Sequence, residues 1–247
     1  MLDGSWGNGD LDVNTGRAGT HGSSPEANFS FSVAWFPYDQ GWLGGEIGTP
    51  TAEGQSRWTN PNAHAAGLAA GVVKWPQFPP DSGIYGGQAE LALPGVNSLE
   101  DGMLFVTSAD GGSDVNIVGV APKDTGIGWH LAIREDSALD AETLAAADQS
   151  EFQFVYVPFD AQNLVGGHIV GTDGSKRKAV GDFTVVRTGT GVYELVVPGK
   201  TGANGTLLLQ VADLEPETFV PLASRAFLSY AFRSEEHTSE LQSRITI

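Results

Sequence analysis

Two groups of oxygen-bearing side chains have a spacing that is typical of calcium loops. The residues are Asp10, Asp12 and Asn14 in one group and Asp110, Asp114 and Asn116 in the other. Hard oxygen ligands in glycine-rich turns suit Ca²⁺ and do not suit zinc. The alternative is that both groups are polar turns, in which Asp and Asn side chains bond the nearby backbone. Calcium is therefore the one ion that the sequence leaves open, and no other cofactor is predicted.

Aromatic side chains beside amide groups form a second candidate site. Trp58, Asn60, Trp75 and Tyr85 fall in one proline-rich stretch, at about residues 48–87. An exposed tryptophan can stack on a sugar ring while neighbouring polar groups bond its hydroxyls. The alternative is that both tryptophans pack this stretch against the rest of the protein. A carbohydrate-binding module is thus one functional hypothesis.

No sequence motif identifies a catalytic centre. Asp124, Thr125 and Gly126 spell the triplet of aspartic proteases, but the second copy that such enzymes need does not occur. We therefore predict a β-turn there. The serine elbow of hydrolases and the phosphate-binding loops of nucleotide enzymes are also missing from the sequence. We expect no enzyme, and a hydrolase with a site in one repeat only stays as an alternative.

The composition argues against several classes of partner. The formal net charge is −17, which repels nucleic-acid phosphates and anionic lipid. The chain has no cysteine, which excludes disulfides and thiolate metal sites. No apolar run approaches the roughly 18 residues of a membrane helix. We expect no nucleic-acid partner and no membrane insertion, and the candidate partners are glycans or neighbouring domains of the same chain.

Four sequence blocks occur twice in the same order. The pairs are Phe31–Asp39 with Phe152–Asp160, Leu43–Ile47 with Val165–Ile169, Glu90–Gly95 with Glu194–Gly199, and Gly102–Val106 with Gly205–Leu209. The shared residues are alternating apolar side chains, proline, glycine and turn aspartate, which build strands and turns. Reactive side chains are not shared, since Glu46 falls opposite His168. The repeat is therefore predicted to be a structural unit.

The apolar alternation predicts short strands separated by turns. The predicted strands are a first one around Phe31–Trp35 and then 42–47, 88–93, 102–107, 115–120, 128–134, 152–157, 164–170, 182–187, 192–197, 206–211 and 226–232. With about six strands per copy, this pattern predicts an all-β fold. Its expected form is a series of antiparallel β-sandwich domains, either immunoglobulin-like or jelly-roll-like.

The repeat also sets the expected domain limits. Copy 1 covers residues 28–136 and has an insertion at about 48–87, and copy 2 covers residues 150–232. Residues 137–149 between them are expected to be a linker with a short helix. We expect residues 1–27 to end a truncated preceding repeat, and copy 2 to be truncated as well.

The last residues depart from the strand pattern. Arg233–Ser243 resemble, residue for residue, a translated sequencing-library adapter that recurs in assembled environmental sequences. We therefore expect residues 233–247 to be a non-native tail. The alternative is an ordinary polar tail.

The style of the repeats points to a class of protein. Trp35–Asp39 and Gly189–Tyr193, set in tandem copies, resemble the repeat regions of secreted bacterial surface proteins, whose β-sandwich domains are strung in series. The resemblance covers about residues 28–232 and carries over no functional residue. It implies an extracellular or cell-surface location, although no signal peptide is present in this sequence. It also implies the expected function, a non-catalytic structural or adhesive role in an exported bacterial protein.

Overall fold

The regular structure of this protein consists of antiparallel β-strands. The computed structural model describes residues 2–7, 10–15, 43–47, 73–74, 88–108, 116–135, 152–200, 205–212, 229–233 and 241–246. All regular elements in these ranges are strands, and none is a helix. The described part of the chain therefore also contains no helix that is long and apolar enough to span a membrane. The predicted all-β class is confirmed for these residues.

The strands are short and are separated by turns, as the alternating apolar pattern predicts. In chain order they are β1 (Leu2–Gly7), β2 (Asp10–Thr15), β3 (Leu43–Ile47), β4 (Val73–Lys74), β5 (Gln88–Leu91), β6 (Gly102–Ser108), β7 (Asn116–Pro122), β8 (Trp129–Glu135), β9 (Phe152–Pro158), β10 (Gly166–Ile169), β11 (Lys176–Val180), β12 (Thr184–Gly189), β13 (Val192–Val197), β14 (Ser229–Arg233) and β15 (Leu241–Thr246).

These strands form small sheets in which all the neighbours run antiparallel. The orders are β1-β2, β3-β9-β6, β4-β5-β8-β7, β10-β11 and β12-β13-β15-β14. β9 lies between β3 and β6, with Leu104 and Leu43 both opposite Tyr156. β15, which lies in the predicted non-native tail, pairs with β13 on one side and β14 on the other. The origin of that tail stays a prediction.

Two of the sheets enclose one hydrophobic core, named here the first core. Its buried side chains are Leu91, Leu93, Leu104, Val118, Val120, Trp129, Leu131, Phe152, Phe154 and Tyr156. They come from β6 and β9 in one sheet and from β5, β7 and β8 in the other, together with Leu93 just after β5. Because strand side chains alternate, β9 turns every second residue inward, and Phe152 is fully buried.

A smaller group of apolar side chains, the second core, lies within copy 2. Phe183, Leu195 and Val197 are its buried members. Partly buried hydrophobic side chains that pack against them are Val165, Ala179, Val185 and Leu207. The hairpin predicted at Thr188–Gly191 joins β12 to β13, with Gly191 at φ 66° in its turn.

The strand predictions differ from the structure at residues 206–211 and at five strands that were not predicted, which are β1, β2, β4, β11 and β15. The predicted strand 206–211 is wrong, since residues 205–212 form no strand. β11 has no predicted counterpart, because its sequence Lys176–Val180 begins with three basic residues and lacks an apolar alternation. The predictions around Phe31–Trp35 and in the linker 137–149 lie outside the described residues.

The sheet membership of β9 departs from the order of the sequence repeat. β9 opens copy 2 in sequence, but it pairs with β3 and β6, which belong to copy 1. The next block of copy 2, which contains β10, pairs instead with β11. Strand pairing is therefore offset by one strand from the sequence repeat. The domain limits themselves stay predictions.

Candidate functional site

One polar region in the described part of the chain joins residues of the two copies. We call it the junction and define it by Glu100, Gly102, Phe159, His168 and Lys178. Glu100 lies in the loop before β6, Gly102 begins β6, and Phe159 directly follows β9. His168 and Lys178 lie opposite each other on the neighbouring strands β10 and β11. Four short elements therefore meet at this place.

The loop that carries Glu100 is held in shape by its own side chains. Asn97 accepts a hydrogen bond from the Leu99 backbone at 3.0 Å through Oδ1, and Asp101 Oδ2 accepts one from the Asn97 backbone at 2.7 Å. The Ser98 backbone N–H donates to the Gly126 carbonyl at 2.9 Å, which ties this loop to the turn between β7 and β8. Such side-chain bonds to the local backbone are what make Asn and Asp good turn residues.

The same loop is tied to the end of β9. The Phe159 backbone N–H donates to the Asp101 carbonyl at 2.8 Å. Gly102 lies under the ring of Tyr156, and a Cβ at Gly102 would come within 2.7 Å of that ring. Glycine is required here because the strand and the ring approach so closely. Burial, and then the charges of Asp101 and Asp160, raises the pKa of the Tyr156 hydroxyl to about 12, so Tyr156 stays neutral.

His168 is the titratable group at the centre of the junction. Its Nε2 lies 3.3 Å from the Gly102 carbonyl oxygen, and the ring therefore donates to that acceptor. The ring also stands edge-on to Phe159, with centroids 5.7 Å apart and planes at 89°. Burial lowers the pKa of His168, while the backbone hydrogen bonds to Gly102 and Ser98 act in the opposite direction. A neutral imidazole that donates one proton fits this environment.

An ion pair and an amide contact complete the link between the copies. Lys178 Nζ lies 2.9 Å from Glu100 Oε2, and both side chains are partly exposed. Val106 donates its backbone N–H to Gln210 Oε1 at 3.4 Å. An exposed pair of this kind contributes little to stability, about 0–1 kcal/mol, but it adds directional contact. Together with His168 it fixes one copy against the other.

A second polar group lies on the outer surface of β5 and β8. Glu90 Oε1 is 2.7 Å from Lys123 Nζ and 4.0 Å from His130 Nδ1. Burial and Lys123 lower the pKa of His130, and Glu90 and Asp124 oppose them. Lys123 also begins the turn to Gly128 that contains the Asp-Thr-Gly triplet. The predicted β-turn there is confirmed, and the triplet joins β7 to β8.

The junction lacks the geometry of an activated nucleophile. Ser98 is fully buried, and its Oγ has no hydrogen-bond partner in the described part of the chain. His168 reaches the backbone of Ser98 and not its hydroxyl. A serine hydrolase needs a hydrogen bond between the nucleophile and its base. What the junction does chemically is to hold two β-elements together.

Comparison with known proteins gives no relative from which a function could be carried over. No family model, no curated protein and no solved structure matches it. The fold and the junction are therefore the basis for any functional proposal.

The sequence-predicted site residues are not brought together by the described structure. Asp10, Asp12 and Asn14 lie on β2, and Asn116 begins β7. The residues outside the described ranges are Trp58, Asn60, Trp75, Tyr85, Asp110 and Asp114. No three His, Asp or Glu side chains in the described ranges are arranged to hold a metal ion. Calcium binding and sugar binding both stay predictions.

Sequence reasoning did not single out the residues of the junction. Glu100, Gly102 and Lys178 are ordinary turn and strand residues in sequence. One signal was present: His168 stands where the other copy has Glu46, inside a block that is otherwise repeated. The contact of His168 with Gly102 therefore uses a side chain that the other copy does not have at the equivalent position.

Proposed function

We propose that this chain is a structural segment of an exported bacterial protein. Its β-sandwich domains follow one another in series and hold other domains of that protein at a distance. The segment is non-catalytic, and its location is extracellular or on the cell surface. The tandem blocks, the net charge of −17 and the lack of cysteine support this proposal. Its partners are neighbouring domains of the same chain.

The single observation that carries the proposal is the position of β9. β9 starts copy 2 in sequence and lies between β3 and β6 of copy 1, paired along its whole length with β6. A chain built in this way cannot separate its copies without pulling a central strand out of a sheet. Load on the chain is thereby shared between successive copies, which is what a structural array needs.

The sandwich architecture is part of the same proposal. Side chains of the sheets β3-β9-β6 and β4-β5-β8-β7 share the first core. Two antiparallel sheets that face each other across one apolar layer are the arrangement of a sandwich. Trp129 from one sheet contacts Tyr156 from the other at this layer.

The experiment is to stretch the full chain by its two ends in an optical trap. We expect a discrete unfolding event for the first core, because β9 must leave β3 and β6 in one step. A variant with Phe154→Asp places a charge in the first core and should remove that event, whereas Gln153→Glu, at the neighbouring outward position, should keep it. Smooth extension of the wild-type chain at low force would contradict a load-bearing role.

A further inference from the structure

The sheet of copy 1 that contains β5 and the sheet of copy 2 that contains β13 are built alike on one side. β13 is the counterpart of β5, because Leu195 corresponds to Leu91 in the repeated blocks. Val73 of β4 stands opposite Leu91, and Val185 of β12 stands opposite Leu195 in the same way. On the other side β5 pairs with β8, whereas β13 pairs with β15. The two sheets therefore differ in the strand that lies on that side.

The sequence of β14 identifies it as the counterpart of β8. Residues Leu131–Arg134 read Leu-Ala-Ile-Arg, and residues Tyr230–Arg233 read Tyr-Ala-Phe-Arg. This match follows the repeated blocks in the same order in both copies. Because β8 lies directly beside β5, the repeat predicts that β14 lies directly beside β13. In the structure β15 separates β14 from β13.

β15 fits the place beside β13 by its backbone more than by its sequence. It lies in the predicted non-native tail and pairs with β13 along its whole length. Its register places Ser243 opposite Leu195, which is buried. At the equivalent place in copy 1, Leu91 stands opposite Trp129, and both are fully buried. The tail therefore supplies backbone partners to β13 but puts a polar residue where copy 1 has an apolar one.

We propose that the edge of β13 is a strand-accepting surface whose own occupant is β14, and that β15 holds this place through backbone pairing alone. β13 and β14 both run antiparallel to β15, so they now run parallel to each other. When the pairing of β15 is weakened, β14 turns round and pairs with β13 antiparallel, as β8 pairs with β5. Strand addition at an edge tolerates such an exchange, because backbone hydrogen bonds supply much of the affinity and do not depend on sequence.

The register of the direct pairing follows from copy 1. Glu90 on β5 stands opposite His130 on β8. Glu194 is the counterpart of Glu90, and Ser229, which precedes the matched residues of β14 as His130 precedes those of β8, is the counterpart of His130. Direct pairing therefore places Glu194 opposite Ser229.

This inference goes beyond the proposed structural role and does not rest on it. It concerns strand pairing within copy 2, whereas the load-bearing role concerns β9 in the first core. A result against either one leaves the other unaffected.

The test uses disulfide bonds in the full chain, which contains no cysteine of its own. Glu194→Cys with Arg244→Cys reports the present place of β15, because these two residues stand opposite each other. Glu194→Cys with Ser229→Cys reports the direct pairing of β14. With β15 in between, positions 194 and 229 are at least two strand spacings apart, about 9–10 Å. A disulfide needs Cα atoms about 4.4–6.8 Å apart, so only direct pairing allows the second bond.

Each pair of cysteines is combined with a change in the middle of β15. Ser243→Pro removes a backbone donor from a strand that pairs on both sides, and Ser243→Ala is the matched control. The chains are oxidised at low protein concentration, and the bonds within single chains are identified by mass spectrometry of their peptides. The Ser243→Ala chain should form the bond between positions 194 and 244 and lack the bond between positions 194 and 229. The Ser243→Pro chain should lose the first bond and gain the second.

Any of three results would overturn the proposal. A bond between positions 194 and 229 in the Ser243→Ala chain would mean that β15 does not keep β14 away from β13. A bond between positions 194 and 244 that survives Ser243→Pro would mean that more than backbone pairing holds β15. Loss of both bonds in the Ser243→Pro chain would mean that β14 does not take the place of β15.

Discussion

The ring of Tyr156 stands edge-on to the ring of Trp129, with centroids 6.0 Å apart and planes at 64°. Tyr156 lies on β9 at the start of copy 2, and Trp129 lies on β8 near the end of copy 1. The contact therefore crosses both the repeat boundary in sequence and the layer between two sheets. Aromatic pairs in this geometry add about 0.5–1.5 kcal/mol to the burial of their area.

Tyr156→Ala should destabilise the first core strongly. Removing a large aromatic side chain from a core costs about 3–5 kcal/mol, because packing is lost and a cavity remains. The measurement is chemical denaturation followed by the fluorescence of the six tryptophans, which include Trp129 in the first core. Tyr156→Phe keeps the ring and is the control, with a much smaller loss expected. Equal losses in both variants would mean that the hydroxyl, and not the ring, matters.

Gly102→Ala and Gly205→Ala should have opposite effects, although both change the same position of the repeated block. At Gly102 the new methyl group collides with the Val157 carbonyl and the Tyr156 ring, which should cost about 1–3 kcal/mol. At Gly205 the methyl group meets nothing among the described residues, and the lower entropy of the unfolded chain should stabilise by about 0.4–1 kcal/mol.

The comparison is made by thermal unfolding of the two variants and of the wild type at one protein concentration. Destabilisation of similar size in both variants would contradict the open space around Gly205, which contrasts with the close contacts of Gly102. It would also indicate that another part of the chain covers Gly205.

The sequence predicted most strands because local alternation carries that information. β9 and β13 both show the period of two, and both form with the expected inward side chains. The sheet in which a strand lies is not a local property. β9 opens copy 2 in sequence, and this position predicted neighbours within copy 2. The structure pairs β9 instead with β3 and β6 of copy 1.

The wrong strand prediction at 206–211 also arises because strand formation depends on neighbours that are distant in sequence. Its sequence, from Thr206 to Val211, is as apolar and as well spaced as that of β6. A strand also needs a partner to satisfy its backbone groups, and β6 has β9 beside it. The junction was equally hidden, because Glu100 and Lys178 come together only once the loop before β6 and β11 are in place.

The stability of the protein should fall as the pH drops below 6.5, the ordinary pKa of histidine. Burial lowers the pKa of His168 in the folded protein. Just below pH 6.5 the His168 side chain is therefore protonated in the unfolded chain and stays neutral in the folded one. The unfolded state then binds more protons, and stability rises with pH in this range. The pH-dependent contribution of His168 to the free energy of unfolding is fully present above pH 6.5. It is lost as the pH falls through the lowered pKa of His168 in the folded state.

The free energy of unfolding between about pH 5 and 8 measures this effect. His168→Gln should reduce the slope of stability against pH, because the titrating group is gone and an amide can still donate to Gly102. His130→Gln should reduce it separately, since burial lowers the pKa of His130 as well. An unchanged slope in His168→Gln would show that other groups control the acid response.

The position of a chain break should decide whether the two halves stay together. A protease site placed within residues 137–149 cuts before β9, and the fragments should remain associated because β9 stays paired with β3 and β6.

A site placed within residues 160–163 cuts after β9, and among the described residues the fragments are then held by the junction and by the contact of Val106 with Gln210. Without the pairing of β9, these fragments should separate on size exclusion more readily than those of the first cut. High salt should add only a small further effect, because the exposed ion pair between Glu100 and Lys178 contributes about 0–1 kcal/mol. Separation after the first cut would mean that the folding units follow the sequence repeat, and that β9 is not a permanent part of the first core.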